Sequence, residues 1–453
     1  MRLDRRVLPY LLGLALCAAG ASGCEAVFPP EPPPGTILFP VAVELVPAQA
    51  ADGAPPFLLL ANSNYDARWA QGTLQSYDLD AIASAVDACA SPPCTEADAL
   101  PFLVDEVQIG PQVHSIALSP RGDRVYLAIR SEADLTWVDL GAEGQLDCEG
   151  APTEGIERCA PRRRTTPVAT TCGREPSLVG DVAGLATGSI ESLTGEPADA
   201  GLDWVLMVHR NGRASLFVDR PAGGASVPTL VHVLTGIPTD ATNAAFDASR
   251  NLVWMTLTVP PGGTVPMRTP IREIPLLGVA YDRDEPECSE AFSAGRFAIR
   301  GTDDGLDSRD VAFSEGGRFA HVLSRRSEAI VTLDTEGEPI FSGETLIRSV
   351  TAMPFGPARI AAGTFDGREL LAVTSFDGQR VTFVDAATGD IVGVPVPGVQ
   401  RPQDVVIDGV RGLAYVADFG DSVLRVIDLR PLREGREIRV VLTLGRITPI
   451  RTF

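Results

Sequence analysis

The stretch Pro402–Leu429, PQDVVIDGVRGLAYVADFGDSVLRVIDL, holds three short apolar runs, Val405–Ile407, Leu413–Ala417 and Val423–Ile427, separated by Gly/Asp turns. That spacing encodes strand, turn, strand, turn, strand. Variants of the unit recur along the chain. A small antiparallel sheet cannot bury both faces alone, and copies stacked around an axis, a β-propeller, solve that problem. A chain of 453 residues then forms one body, which length alone would not indicate.

Each unit closes on an aspartate after two residues, at least one of them apolar: Tyr77-Asp78, Val138-Asp139, Val218-Asp219, Tyr281-Asp282, Leu333-Asp334, Val384-Asp385 and Ile427-Asp428. The aspartate is suited to accept backbone N–H groups of the following turn. Before each marker lies a nearly continuous apolar run for a second strand covered on both faces: Phe57–Ala61, Val125–Ile129, Val205–Val208, Leu252–Leu257, Phe319–Leu323, Leu370–Val373 and Leu413–Ala417. Innermost strands are legible in five units, at Ile116–Leu118, Ala244–Phe246, Val311–Phe313, Ile360–Ala362 and Val405–Ile407. The pattern predicts an all-β, seven-bladed β-propeller of four-stranded antiparallel blades with loop insertions, spanning residues 36–453.

The chain begins with Arg2, Arg5 and Arg6 ahead of an apolar run, Val7–Ala19, that is too short to span a bilayer but suits a signal peptide. Ala21-Ser22-Gly23-Cys24 follows and resembles the lipobox of bacterial lipoproteins, with Ala21 in place of the usual leucine. The resemblance implies cleavage after residue 23 and lipidation of Cys24. Cysteine parity agrees: with Cys24 lipidated, the even set Cys89, Cys94, Cys148, Cys159, Cys172 and Cys288 remains, compatible with disulfides in an oxidising compartment. Residues 24–35 are rich in proline and read as an extended tether.

SIALSPRGDRVYLAIRSEADLTWVDL (Ser115–Leu140) and DVVIDGVRGLAYVADFGDSVLRVIDL (Asp404–Leu429) resemble the YVTN-repeat, lactonase-like seven-bladed propellers, and Val125–Ala128 and Ala414–Ala417 match the eponymous segment. Units one, three and four depart from the pattern. The family includes enzymes, but its catalytic residues do not map one by one onto this chain. Insertions are expected at Ala83–Leu100, Gly141–Thr171 and Val259–Glu273. Cys89 with Cys94 and Cys148 with Cys159 are near enough in sequence to staple two of these loops, and Cys172 with Cys288 could tie unit three to unit four. Six cysteines allow 15 pairings, so connectivity stays open.

Net charge is -21, with no lysine among the 38 basic residues. The acidic balance argues against a nucleic-acid partner, and the missing amine excludes Schiff-base, phosphate-loop and Ser–Lys chemistry. No GxGxxG, GxSxG, HExxH or CxxC motif occurs. His209 and His321 fall in second strands and read as hydrogen-bonded core residues.

Aligning the units places Ser115, Asn243, Asp310 and Asp404 at one position directly before the innermost strand, with His114, Arg309 and Gln403 one place earlier. Rotational symmetry brings them to one mouth of the channel. There they either converge on a small polar ligand or satisfy backbone groups between blades. His114, Arg309, Asp310 and Asp404 are the catalytic candidates, and Ser115, Asn243 and Gln403 the ligand-binding ones. Arg162–Arg164 is a basic cluster that either clamps an anion or lies in a solvated loop. Asp303, Asp304, Asp307 and Asp310 are the one acidic crowd that could attract Ca²⁺; otherwise no metal or cofactor is expected. The preferred reading is a monomeric binding or scaffolding lipoprotein, lipid-anchored to the outer membrane and meeting an envelope protein or glycan. A channel-mouth lactonase and a structural role in outer-membrane assembly are the alternatives.

Overall fold

The computed structural model describes residues 29–48, 53–130, 134–148, 156–159, 163–165, 181–191, 201–219, 227–235, 237, 239–258, 267–270, 287–290, 295–296, 307–335 and 347–448. The expected signal segment, Cys24, Arg162, Cys172, Asp303 and Asp304 lie outside them, as do the side chains of Arg163, Arg164 and Cys288.

The protein is an all-β propeller. Its described strands fall into seven sheets, six of them blades of four or five strands. The innermost strands are Pro40–Leu45, Val113–Leu118, Val182–Ser189, Ala241–Asp247, Ser308–Phe313, Pro357–Phe365 and Pro402–Asp408. Each contacts the next around a circle, and the last contacts the first. The sheet at Pro357–Asp385 is smaller, with three strands and two isolated bridges, Val381 to Val396 and Val384 to Ile391.

Second strands sit where their apolar runs predict, from Phe57–Asn62 through Leu413–Asp418, and are almost fully buried. His209 and His321 are buried there as expected, the first 3.1 Å from Ser215 Oγ and the second 3.0 Å from Thr332 Oγ1. Between the sheets lie layers such as Trp204, Leu206 and Val208 against Ala241, Ala244 and Trp254.

Uniform four-stranded antiparallel blades are not what forms. Three insertions each reach back to the preceding sheet and add a parallel outer strand. Cys94–Glu96, from the first unit, pairs with Arg439–Leu444 of the last sheet; Glu157–Arg158 pairs with Leu103–Ile109; and Glu287–Glu290 pairs with Thr229–Thr235. An outer edge otherwise presents unpaired N–H and C=O groups, and each added strand covers one. Two additions carry their own staple: Cys89–Cys94 and Cys148–Cys159 are disulfides.

Two further expectations change. The third strand of the fourth sheet is Met267–Pro270, paired with Leu252–Leu257; Asp282, expected to follow that strand, lies outside the described residues. The segment expected to be an extended tether is not free along its whole length. From Pro29 it docks on the first sheet, where Pro32 and Gly35 are buried, Gly35 N–H donates to Glu106 at 2.8 Å, and Glu31 pairs with Arg158.

The aspartate markers divide into two groups. Asp78 caps a helix, Leu79–Ala88, through Asp80 N and Ala81 N, and Asp385 and Asp428 accept N–H groups of the following turn, as expected. Asp139 and Asp219 instead hold Arg124, and Asp334 faces Arg318.

Candidate functional site

The channel wall is built by one repeated irregularity. In all seven innermost strands the register shifts at the same place: Pro40/Ala42, Val113/Ser115, Val182/Gly184, Ala241/Asn243, Ser308/Asp310, Pro357/Arg359 and Pro402/Asp404. A bulge bends the strand and re-aims the side chains beside it. In six of the seven, the residue three places ahead of the second member of the pair takes positive φ: Phe39, Gln112, Asp181, Asp240, Gly356 and Arg401. The bulges set Ala42, Ser115, Gly184, Asn243, Asp310, Arg359 and Asp404 at one level around the axis.

The predicted equivalence of Ser115, Asn243, Asp310 and Asp404 is therefore geometrical fact, and His114, Arg309 and Gln403 are bulged residues one step toward the mouth. A cavity of about 320 Å³ runs along the axis, lined by Glu44, His114, Ser115, Asn243, Asp310, Arg359 and Asp404.

Most of these polar groups are engaged with the next sheet. Asp310 Oδ2 accepts the Ile360 N–H at 3.1 Å, and its Oδ1 accepts Val311 N–H at 2.9 Å and Asn243 Nδ2 at 2.6 Å. Asp404 repeats the device, accepting Val43 N–H at 3.0 Å and Val405 N–H at 2.9 Å. Arg309 pairs with Asp307 at 2.7 Å. Of the two outcomes foreseen for this ring, inter-blade bonding describes its carboxylates. Gly184 completes the fit: a Cβ there would stand 2.4 Å from Asn243 Oδ1 and 2.6 Å from Ala244 N.

Electrostatics follow from burial. Asp404 is pushed up to about 7, first by desolvation and also by Asp310, while Arg359 and the Val43 N–H act against this. Glu44 is pushed up to about 8 by desolvation and then by Asp404; Asp310 is raised, again mainly by desolvation. His114 goes the other way, to about 3, because burial and then the guanidinium groups of Arg359, Arg210 and Arg130 disfavour its charged form. Among the described residues its Nε2 and the Ser115 hydroxyl are buried without a hydrogen-bond partner.

Arg359 and Glu44 belong to the site and were not singled out from sequence. Arg359 precedes Ile360 just as Asp310 precedes Val311, so unit alignment could have found it. Glu44 lies on an innermost strand that the repeat pattern does not reveal.

On the mouth side of the ring a second cavity, of about 700 Å³, is lined by Tyr65, Arg130, Phe376, Arg401 and Phe419. Its rings form one cluster: Tyr65 lies 5.3 Å and Phe376 6.0 Å from Phe419, centroid to centroid, and Arg401 sits over Phe376 at 5.9 Å. Tyr65 is 58% exposed. Among the described residues no group of three or more His, Cys, Asp or Glu is arranged to hold a metal ion. Asp307, from the acidic crowd weighed for Ca²⁺, is instead paired with Arg309.

No known family model matches the chain, and no curated protein matches it significantly in sequence.

Proposed function

We propose that the protein is an envelope-tethered, seven-bladed propeller lipoprotein that binds a protein or glycan partner at the channel mouth and acts as a monomeric scaffold. The three-stranded sheet counts as a full blade in this reading. It carries the same bulge at Pro357/Arg359 as its neighbours, and its bridges to Val396 and Ile391 stand where a fourth strand would pair. The YVTN-like segments support the same count.

The observation that carries binding over hydrolysis is the commitment of Asp310 and Asp404 to backbone N–H groups of the adjacent sheets. Carboxylates held this way stitch the ring together and are not positioned to activate water. His114, with its conjugate acid near pKa 3, is too weak a base to draw a proton from water at neutral pH. The aromatic cluster of Tyr65, Phe376 and Phe419 supplies a preformed contact face at the same end, suited to the C–H faces of sugars or to apolar side chains.

Assayed on a panel of five- and six-membered lactones, the wild-type protein is expected to give no hydrolysis above the buffer rate. Turnover that His114→Ala abolishes would restore the lactonase reading. The anchor is tested separately: in a Gram-negative host, Cys24→Ser is expected to shift the protein from the membrane pellet to the soluble fraction, and unchanged sedimentation contradicts lipidation.

A further inference from the structure

Between the carboxylate ring and the aromatic cavity, the mouth holds a pocket of about 130 Å³ lined by His114, Arg210, Arg309, Arg325, Arg359 and Gln403, among others. Four guanidinium groups at one opening are unexpected in a chain of net charge -21. Three are matched by acids on the rim: Arg210 by Asp181 at 3.8 Å, Arg309 by Asp307 at 2.7 Å and Arg325 by Asp377 at 2.5 Å. Arg130, just outside, shares Asp181.

Arg359 has no such neighbour. It is only 8% exposed, and among the described residues its guanidinium has neither an ion pair nor a hydrogen bond. The carboxylates of Asp310 and Asp404 act on it only from a distance. Around it, and again among the described residues, Arg210 Nε, Arg309 Nε and His114 Nε2 are buried without a hydrogen-bond partner, while Arg359 itself borders the cavity. Buried donors left unmade are costly and rare in native proteins, and a cluster of them around one cavity calls for a ligand acceptor.

We propose that this pocket binds a tetrahedral oxyanion, a phosphate group, with Arg359 as its anchor and Arg210 and Arg309 as flanking donors. Donors converging from three sheets suit an acceptor that offers oxygens in several directions, and guanidinium is the side chain that matches phosphate oxygens in pairs. The cavity, about 130 Å³, is well above the roughly 10–15 Å³ that a single water needs on the same measure, and has room for one such group. The site stands on the channel geometry alone and is independent of any macromolecular partner at the mouth.

The test is calorimetric titration of the purified protein with inorganic phosphate, at an ionic strength held constant with chloride. Saturable one-to-one binding is expected. Arg359→Gln should weaken it at least tenfold, and Arg309→Gln, at a less buried position and so safer for the fold, at least threefold. Arg436→Gln, an exposed residue paired with Glu434, should leave it unchanged. Titration with phenyl phosphate distinguishes the source: binding as tight as inorganic phosphate assigns an ester end, and weaker binding assigns the free anion. Absence of saturable binding by the wild type, or unchanged affinity in folded Arg309→Gln or Arg359→Gln, overturns the proposal.

Discussion

Replacing Arg124 with methionine is expected to lower stability by about 3–5 kcal/mol, the range seen when one partner of a buried ion pair is removed. Arg124 is wholly buried between the second and third sheets. Its guanidinium lies 2.6 Å from Asp139 on its own sheet and 2.7 Å from Asp219 on the next, and Tyr126 OH also donates to Asp219, at 2.8 Å. Methionine fills much of the space but leaves the buried Asp219 carboxylate without the Arg124 guanidinium. Adding Asp219→Asn removes that stranded charge, so the double variant should recover about half of the loss. Chemical denaturation followed by tryptophan fluorescence reads both values. An Arg124→Met protein within about 1 kcal/mol of wild type would show that the two sheets do not depend on this contact.

The second large effect is a dependence on pH that runs opposite to simple acid unfolding. Glu44 and Asp404, pushed up to about 8 and about 7, bind protons more tightly folded than unfolded, where carboxylates titrate near 4. Their contribution is fully present below about pH 4 and is lost as pH rises through the folded values, because unfolding then releases protons. Asp203, pushed to about 7 mainly by burial, acts in the same direction. His114 and His321, at about 3 and about 4, have the opposite sign. Their neutral buried form is lost to protonation of the unfolded chain as pH falls below about 6.5.

The fold is therefore expected to be most stable on the mildly acidic side of neutrality. Glu44→Gln isolates the carboxylate contribution: it should be more stable than wild type at pH 8.5, by on the order of 2 kcal/mol, and should lose that advantage by pH 5. Melting temperatures of both proteins across this range give the comparison. Parallel curves would remove the claim that the channel carboxylates are protonated in the fold.

Which parts of this architecture could be read in advance follows from where each strand sits. Second strands are covered on both faces, so runs such as Leu413–Ala417 announce themselves by continuous hydrophobicity. Innermost strands show only one apolar stretch beyond the bulge, which sufficed in five units. The first failed because Glu44 interrupts Pro40–Leu45. The third failed because Val182–Ser189 is rich in Ala and Gly, poor β-formers chosen here for contact: a Cβ at Gly188 would meet the Trp204 ring at 2.5 Å.

The reach-back strands were illegible for a different reason. Cys-Thr-Glu at residues 94–96 and Glu-Arg at 157–158 have no pattern of their own and become strands only because a finished sheet offers an edge. The ring was legible as an alignment of Ser115, Asn243, Asp310 and Asp404. Its electrostatics were not, since Arg359 and Glu44 supply much of the field and neither had been placed.

Everything said of the mouth depends on the circle being closed, so that Asp404 reaches the backbone of Val43 although 361 residues separate them. Hydrogen exchange of the peptide covering residues 40–46, compared between wild type and Asp404→Ala, addresses this directly. The Val43 amide should be protected in the wild type and exchange at least tenfold faster in the variant, while the sheet at Pro357–Asp385 keeps its protection. Identical exchange of that peptide in both proteins would mean that the first and last sheets do not meet, and the channel would have no ring.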